Sequence, residues 1–118
     1  RFILFIYLLQ FIFSSNLNSF GERIVTIGGS VTDIVFALGM GNSVVAVDQS
    51  STLPTKVKDL PQVGYVRSIS AEGILSMSPT KILTSSDIGP PNVIDQLNES
   101  GVEFKIFDSP LTFNELFN

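Results

Sequence analysis

Ile24-Val25-Thr26-Ile27-Gly28-Gly29-Ser30 is the stretch that decides the fold. A short β-branched run that ends in two glycines has the pattern of a buried strand entering a turn. Beyond it Val31, Ile34, Val35 and Leu38 recur at helical spacing, with Ser30 or Thr32 placed to cap the helix and Gly39 to stop it. Ser43–Val47 then reads as a second buried strand. Leu53-Pro54 opens a turn or short helix through Leu60, and Pro61–Arg67 reads as extended. A helix starts at Ser70-Ala71-Glu72-Gly73 and runs to about Ser78, before Pro79 ends it. Lys81–Thr84 is a strand, Ser85–Pro91 a turn-rich loop, Asn92–Ser100 a helix closed by Gly101, and Val102–Phe107 a strand. Near-continuous apolar strands alternating with helices predict an α/β fold with a parallel sheet and helices on both faces. Open sheets of this kind bind ligands at the carboxyl ends of their strands. The loops expected there are Gly28–Ser30, Asp48–Ser51 and Ser85–Gly89.

Composition narrows the chemistry. The chain has 118 residues, enough for one ordinary domain, with 7 basic and 11 acidic side chains and a formal charge of −4. Nucleic-acid binding needs clustered Lys and Arg, so this balance argues against it. With no His and no Cys, zinc fingers, thiol chemistry and the Ser-His-Asp triad are all excluded. There is no G-x-G-x-x-G, no Gly-Lys-Ser/Thr and no Gly-x-Ser-x-Gly, so a nucleotide-using or hydrolytic enzyme lacks its essential parts. The expectation is a binding protein and not an enzyme. Any metal chemistry falls to oxygen ligands, to Met or to tyrosine.

Residues 1–13 form an apolar run behind Arg1, followed by Ser14, Ser15, Asn16 and Asn18. The run is too short to span ~30 Å of hydrocarbon as a helix, which takes ~20 residues. It matches the h-region of a secretory signal, which sets an expected signal peptide over 1–20 and an exported chain from about Gly21. That portion keeps one tyrosine, Tyr65; its Met40 and Met77 lie where core or cap packing accounts for them. It offers no Cys for lipid anchoring, so the expected location is the periplasm.

Three stretches carry a family resemblance. Arg23–Gly39 (Arg-Ile-Val-Thr-Ile-Gly-Gly-Ser-Val-Thr-Asp-Ile-Val-Phe-Ala-Leu-Gly), Leu60–Arg67 (Leu-Pro-Gln-Val-Gly-Tyr-Val-Arg) and Ala71–Pro79 (Ala-Glu-Gly-Ile-Leu-Ser-Met-Ser-Pro) resemble the periplasmic haem-binding proteins of bacterial haemin ABC importers. The first and third stretches are shared with the wider group that binds cobalamin and ferric siderophores; Val-Gly-Tyr-x-Arg is the haem-specific one. The resemblance implies two Rossmann-like lobes joined by one long helix, with ligand held between them. On that reading residues 21–110 are the N-terminal ligand-binding lobe, 111–118 start the linking helix after a cap at Thr112, and the C-terminal lobe is missing. It further implies a monomer when full length, with an inner-membrane permease as partner.

The same resemblance makes Tyr65 the axial ligand of haem iron. Tyrosinate is an established ligand of ferric haem, although a free phenol has a pKa of ~10 and needs the metal or a cation to ionise. Arg67, two places on in a stretch read as extended, would project to the same side and reach the phenolate or a haem propionate. Taken without the family, a Tyr-x-Arg pair is more often a half-buried aromatic beside a surface charge. Ser85 and Ser86, with Ser50 and Ser51, are candidate propionate donors, and equally ordinary loop residues. Glu72, in a first helical turn, complements the helix dipole; in the wider family a carboxylate at this place docks on arginines of the permease. Another metal chelate, a ferric siderophore or cobalamin, is the alternative cargo.

Overall fold

The computed structural model describes Ile3 and residues 21–108. The signal peptide expected over 1–20 (Ile3 apart) and the linking helix expected over 111–118 lie outside the described residues. Among the described residues no helix is long and apolar enough to cross a membrane.

The β-branched runs form the strands that their composition predicts. β1 (Ile24–Ile27), β2 (Val44–Val47), β5 (Lys81–Ser85) and β6 (Glu103–Phe107) make one sheet in the order β2-β1-β5-β6, with every neighbouring pair parallel. The short strands β3 (Gly64–Tyr65) and β4 (Ser68–Ile69) form a separate antiparallel hairpin. Helices α1 (Gly29–Ala37), α2 (Ala71–Leu75) and α3 (Pro91–Glu99) connect the strands, with 3-10 turns at Gly41–Ser43 and Thr55–Asp59.

The strand side chains divide the core between the two faces of the sheet, alternating in β1 and β5 but not in β2, where Val44 and Val47 share a core. Val25, Ile27, Ala46 and Ile82 point to one face and pack with Ala71 and Ile74 of α2 and Val93 and Leu97 of α3. Ile24, Val44, Val47 and Leu83 belong to the other core, with Val31 and Val35 of α1 and Val57. Each aliphatic side chain buried in this way contributes roughly 1.5–3 kcal/mol, so both layers are needed to hold a small sheet. Strand order follows from this arrangement: α1 returns the chain to one side of β1, whereas α2 and α3 carry it to the other side across the opposite face. The described residues form a single α/β lobe with helices on both faces.

Three local expectations are corrected. Neither Ser30 nor Thr32 caps α1: Gly28 holds that position with no side-chain cap, and the Thr32 hydroxyl bonds to Thr26 and Ser51 instead. Helix α2 ends at Leu75, three residues before Ser78, which adopts a left-handed φ of 51° ahead of Pro79. The Pro61–Arg67 segment is extended only as far as Tyr65, because Val66-Arg67 forms the turn of the hairpin.

Candidate functional site

Because the large sheet is parallel, the residues that follow β1, β2 and β5 all emerge at one end. Gly28, directly after β1, has a φ of +102°, and a Cβ there would sit 2.7 Å from the Ser85 Oγ at the end of β5. Only glycine satisfies both the backbone and the contact. The Gly28 N–H donates to Asp48 Oδ1 at 2.9 Å, which ties the end of β1 to the end of β2.

Asp48 is fully buried, and both of its oxygens are occupied. Oδ1 also accepts from Ser51 Oγ at 2.7 Å, while Oδ2 accepts from the Ser50 N–H at 3.1 Å and the Ser50 hydroxyl at 2.6 Å. The Ser51 hydroxyl meets Thr32 Oγ1 at 2.6 Å, and Thr32 meets Thr26 Oγ1 at 2.8 Å. A buried carboxylate is costly unless it is hydrogen-bonded in this manner. Sequence reading placed Asp48 in a rim loop without giving it a role; Ser50 and Ser51 just after it are a local turn signal, whereas the Gly28 partner 20 positions away leaves none.

The hairpin lies between two of these loops. Alongside β2, Val47 N–H donates to Pro61 O at 3.0 Å, Val63 N–H to Val47 O at 2.9 Å, and Gln49 N–H to Gly64 O at 2.7 Å. On its other side, Gly89 N–H donates to Val66 O and Ile69 N–H to Gly89 O, both at 3.0 Å. Buried Val66 and Ile69 anchor the hairpin in the core, while Tyr65 remains 44% exposed. A phenol is thereby displayed on a backbone that is fixed on both sides.

The other candidate residues separate into distinct places. Arg67 is exposed at the hairpin turn, so the shared strand face assumed for Tyr65 and Arg67 does not exist, although both belong to the same six-residue hairpin. Ser85 is only 3% exposed and lies against Gly28. Ser86 is exposed, and its backbone N–H donates to Phe107 O at 2.9 Å. Ser50 is exposed and bonded to Asp48, whereas Ser51 is buried within the hydroxyl chain. Glu72 is exposed in the first turn of α2, where the Ser70 hydroxyl caps the helix by accepting from Gly73 N–H at 3.3 Å. It lines a shallow groove of about 670 Å³ with Leu75, Ser76, Val93 and Gln96.

The family model described as "Periplasmic binding protein" matches residues 24–118. The chain belongs to the periplasmic binding protein family. Among solved structures of this family, the periplasmic haem-binding protein RhuT from Roseiflexus sp. RS-1 in apo form is 47% identical with a TM-score of 0.73, over 75% of this chain and 34% of that one. A periplasmic haem-binding protein from Pseudomonas aeruginosa is 37% identical with a TM-score of 0.75, over 80% of this chain and 34% of that one. A vitamin B12-binding protein of Vibrio cholerae serotype O1 is 33% identical over 88 residues, 75% of this chain and 31% of its relative. The chain thus spans about a third of the length of these relatives. The solved relatives are two-lobed binding proteins, and the described residues correspond to a single lobe.

Proposed function

We propose that the chain is the N-terminal lobe of the substrate-binding component of an ABC importer. Its cargo is haem, captured in the periplasm and delivered to an inner-membrane permease without chemical change. The observation that carries this reading is Tyr65, a 44%-exposed phenol on a hairpin fixed at the carboxyl rim of a parallel sheet. Ferric iron in haem takes an anionic oxygen ligand, and a fixed tyrosinate supplies one. Arg67, at the turn of the same hairpin, provides a permanent positive charge for the phenolate or for a propionate. Ser86, exposed on the rim, and Ser85, buried beneath it, are the candidate propionate donors. Glu72, exposed at the start of α2, faces the permease in a charge contact that weakens with salt. Residues 21–110 constitute the lobe, preceded by a signal peptide over 1–20 and followed by a linking helix from 111, and the two-lobed protein acts as a monomer.

Cobalamin is the second reading, favoured by the vitamin B12-binding relative at 33% identity; the haem-binding relatives reach 47%. Titration of the two-lobed polypeptide with haemin and with cyanocobalamin separates the two. Haemin is expected to produce a saturable Soret band, with no cyanocobalamin retained on gel filtration. Retention of the corrinoid with no haemin uptake replaces haem by cobalamin.

A further inference from the structure

We infer that Asp48 is a positioning residue for Tyr65, acting through the Gln49 backbone. This inference rests on the reading of Tyr65 as the iron ligand, and it names the group that sets where that ligand stands.

Three backbone hydrogen bonds align the segment that leads to Tyr65 with β2. The one nearest Tyr65 is Gln49 N–H to Gly64 O at 2.7 Å. That N–H belongs to the peptide between Asp48 and Gln49, and its direction is set by the turn that Asp48 organises. Within the turn the Asp48 carboxylate accepts from the Ser50 N–H at 3.1 Å, and the Asp48 carbonyl accepts from the Ser51 N–H at 3.2 Å. An aspartate that bonds to the backbone two residues ahead in this way holds the turn in a single conformation. The second carboxylate oxygen anchors the turn to Gly28 N–H at 2.9 Å, so that its reference point is β1, the central strand. The position of Tyr65 relative to the sheet is therefore transmitted from β1 through Asp48, Gln49 and Gly64.

The opposite side of the hairpin depends on Gly89 and is independent of Asp48. Loss of the carboxylate therefore leaves the hairpin attached through Gly89, Val47 and the buried Val66 and Ile69, but releases the Gln49 N–H bond nearest Tyr65 from its fixed direction. An amide in place of the carboxylate presents an N–H₂ donor toward existing N–H donors, so Asp48→Asn cannot satisfy all four partners. Val57→Ala is the matched control: Val57 is 1% exposed, lies in the core that does not contain the hairpin residues Val66 and Ile69, and makes no hydrogen bond to Asp48, Gln49 or Gly64.

The test titrates haemin into the two-lobed polypeptide and its variants, and follows amide hydrogen exchange in the same proteins. Asp48→Asn is expected to weaken haem binding about tenfold, ~1.4 kcal/mol, and to shift the iron–tyrosinate charge-transfer band. Val57→Ala is expected to lower the thermal midpoint while both readouts stay at the parent values. An unchanged band and affinity in Asp48→Asn, or an equal change in Val57→Ala, overturns the inference. If the parent protein takes up no haemin, the functional reading fails and exchange alone decides the positioning claim. In that case Gln49 N–H exchange is expected to accelerate at least about tenfold more than that of Val25 N–H in Asp48→Asn, and equal acceleration of both overturns it.

Discussion

At the residue scale, the rim is built from a few side chains that permit no substitution of shape or polarity. Gly28 combines a φ of +102° with a contact that would place a Cβ 2.7 Å from the Ser85 hydroxyl. Gly28→Ala is expected to destabilise the lobe by about 2–4 kcal/mol, from backbone strain together with overpacking. The urea midpoint measures this. Gly28→Ala/Ser85→Gly should recover only the steric part, because the strained φ remains. The glycine was legible in the sequence, since a β-branched run that ends in Gly-Gly announces a turn. Asp48 was not. One carboxylate in a polar loop reads as a surface charge, and its burial against Gly28, 20 positions away at the end of β1, comes only with the folded chain.

Among the elements, the strands were the easiest to read and the hairpin the hardest. β1 and β2 are short apolar runs, β5 is apolar at its centre and β6 alternates charged with apolar residues, and each lies where the sequence places a strand. The Val66-Arg67 turn contains none of the usual turn formers, Gly, Pro, Asn, Asp or Ser. Its bend is imposed from outside by the two hydrogen bonds to Gly89, a tertiary constraint without a local signature. At the start of β5, Lys81 donates to Glu22 at 3.0 Å and lies 3.8 Å from Glu103 on β6, which joins three adjacent segments. The Glu22 hydrogen bond raises the Lys81 ammonium above its usual 10.5, partial burial opposes the shift, and the charges of Glu22 and Glu103 add to it. A cation whose pKa is higher folded than unfolded contributes its stability below the unfolded value and loses it as pH rises through the folded one. The difference in urea midpoint between the parent and Lys81→Met is therefore expected to narrow between pH 9 and pH 11. It should be small throughout, because the pair is partly solvated. A difference that widens over that range would contradict the assignment.

For the whole molecule, the two-faced core and the carboxyl-end rim are separate achievements of the same strand order. Helices on both faces satisfy the hydrophobic requirement of a parallel sheet, and the common direction of its strands leaves the loops after β1, β2 and β5 together at one end. The architecture was legible from strand–helix alternation alone. The proposed cargo rests on one residue, Tyr65, in a stretch resembling haem-binding proteins, and the hairpin gives that residue an exposed and fixed place. The central claim is therefore tested by the absorption spectrum of the haem-loaded, two-lobed polypeptide carrying Tyr65→Phe. The account predicts loss of the iron–tyrosinate charge-transfer band and haem binding weakened by about a hundredfold, ~2.7 kcal/mol. A parent-like spectrum and affinity in Tyr65→Phe would contradict it.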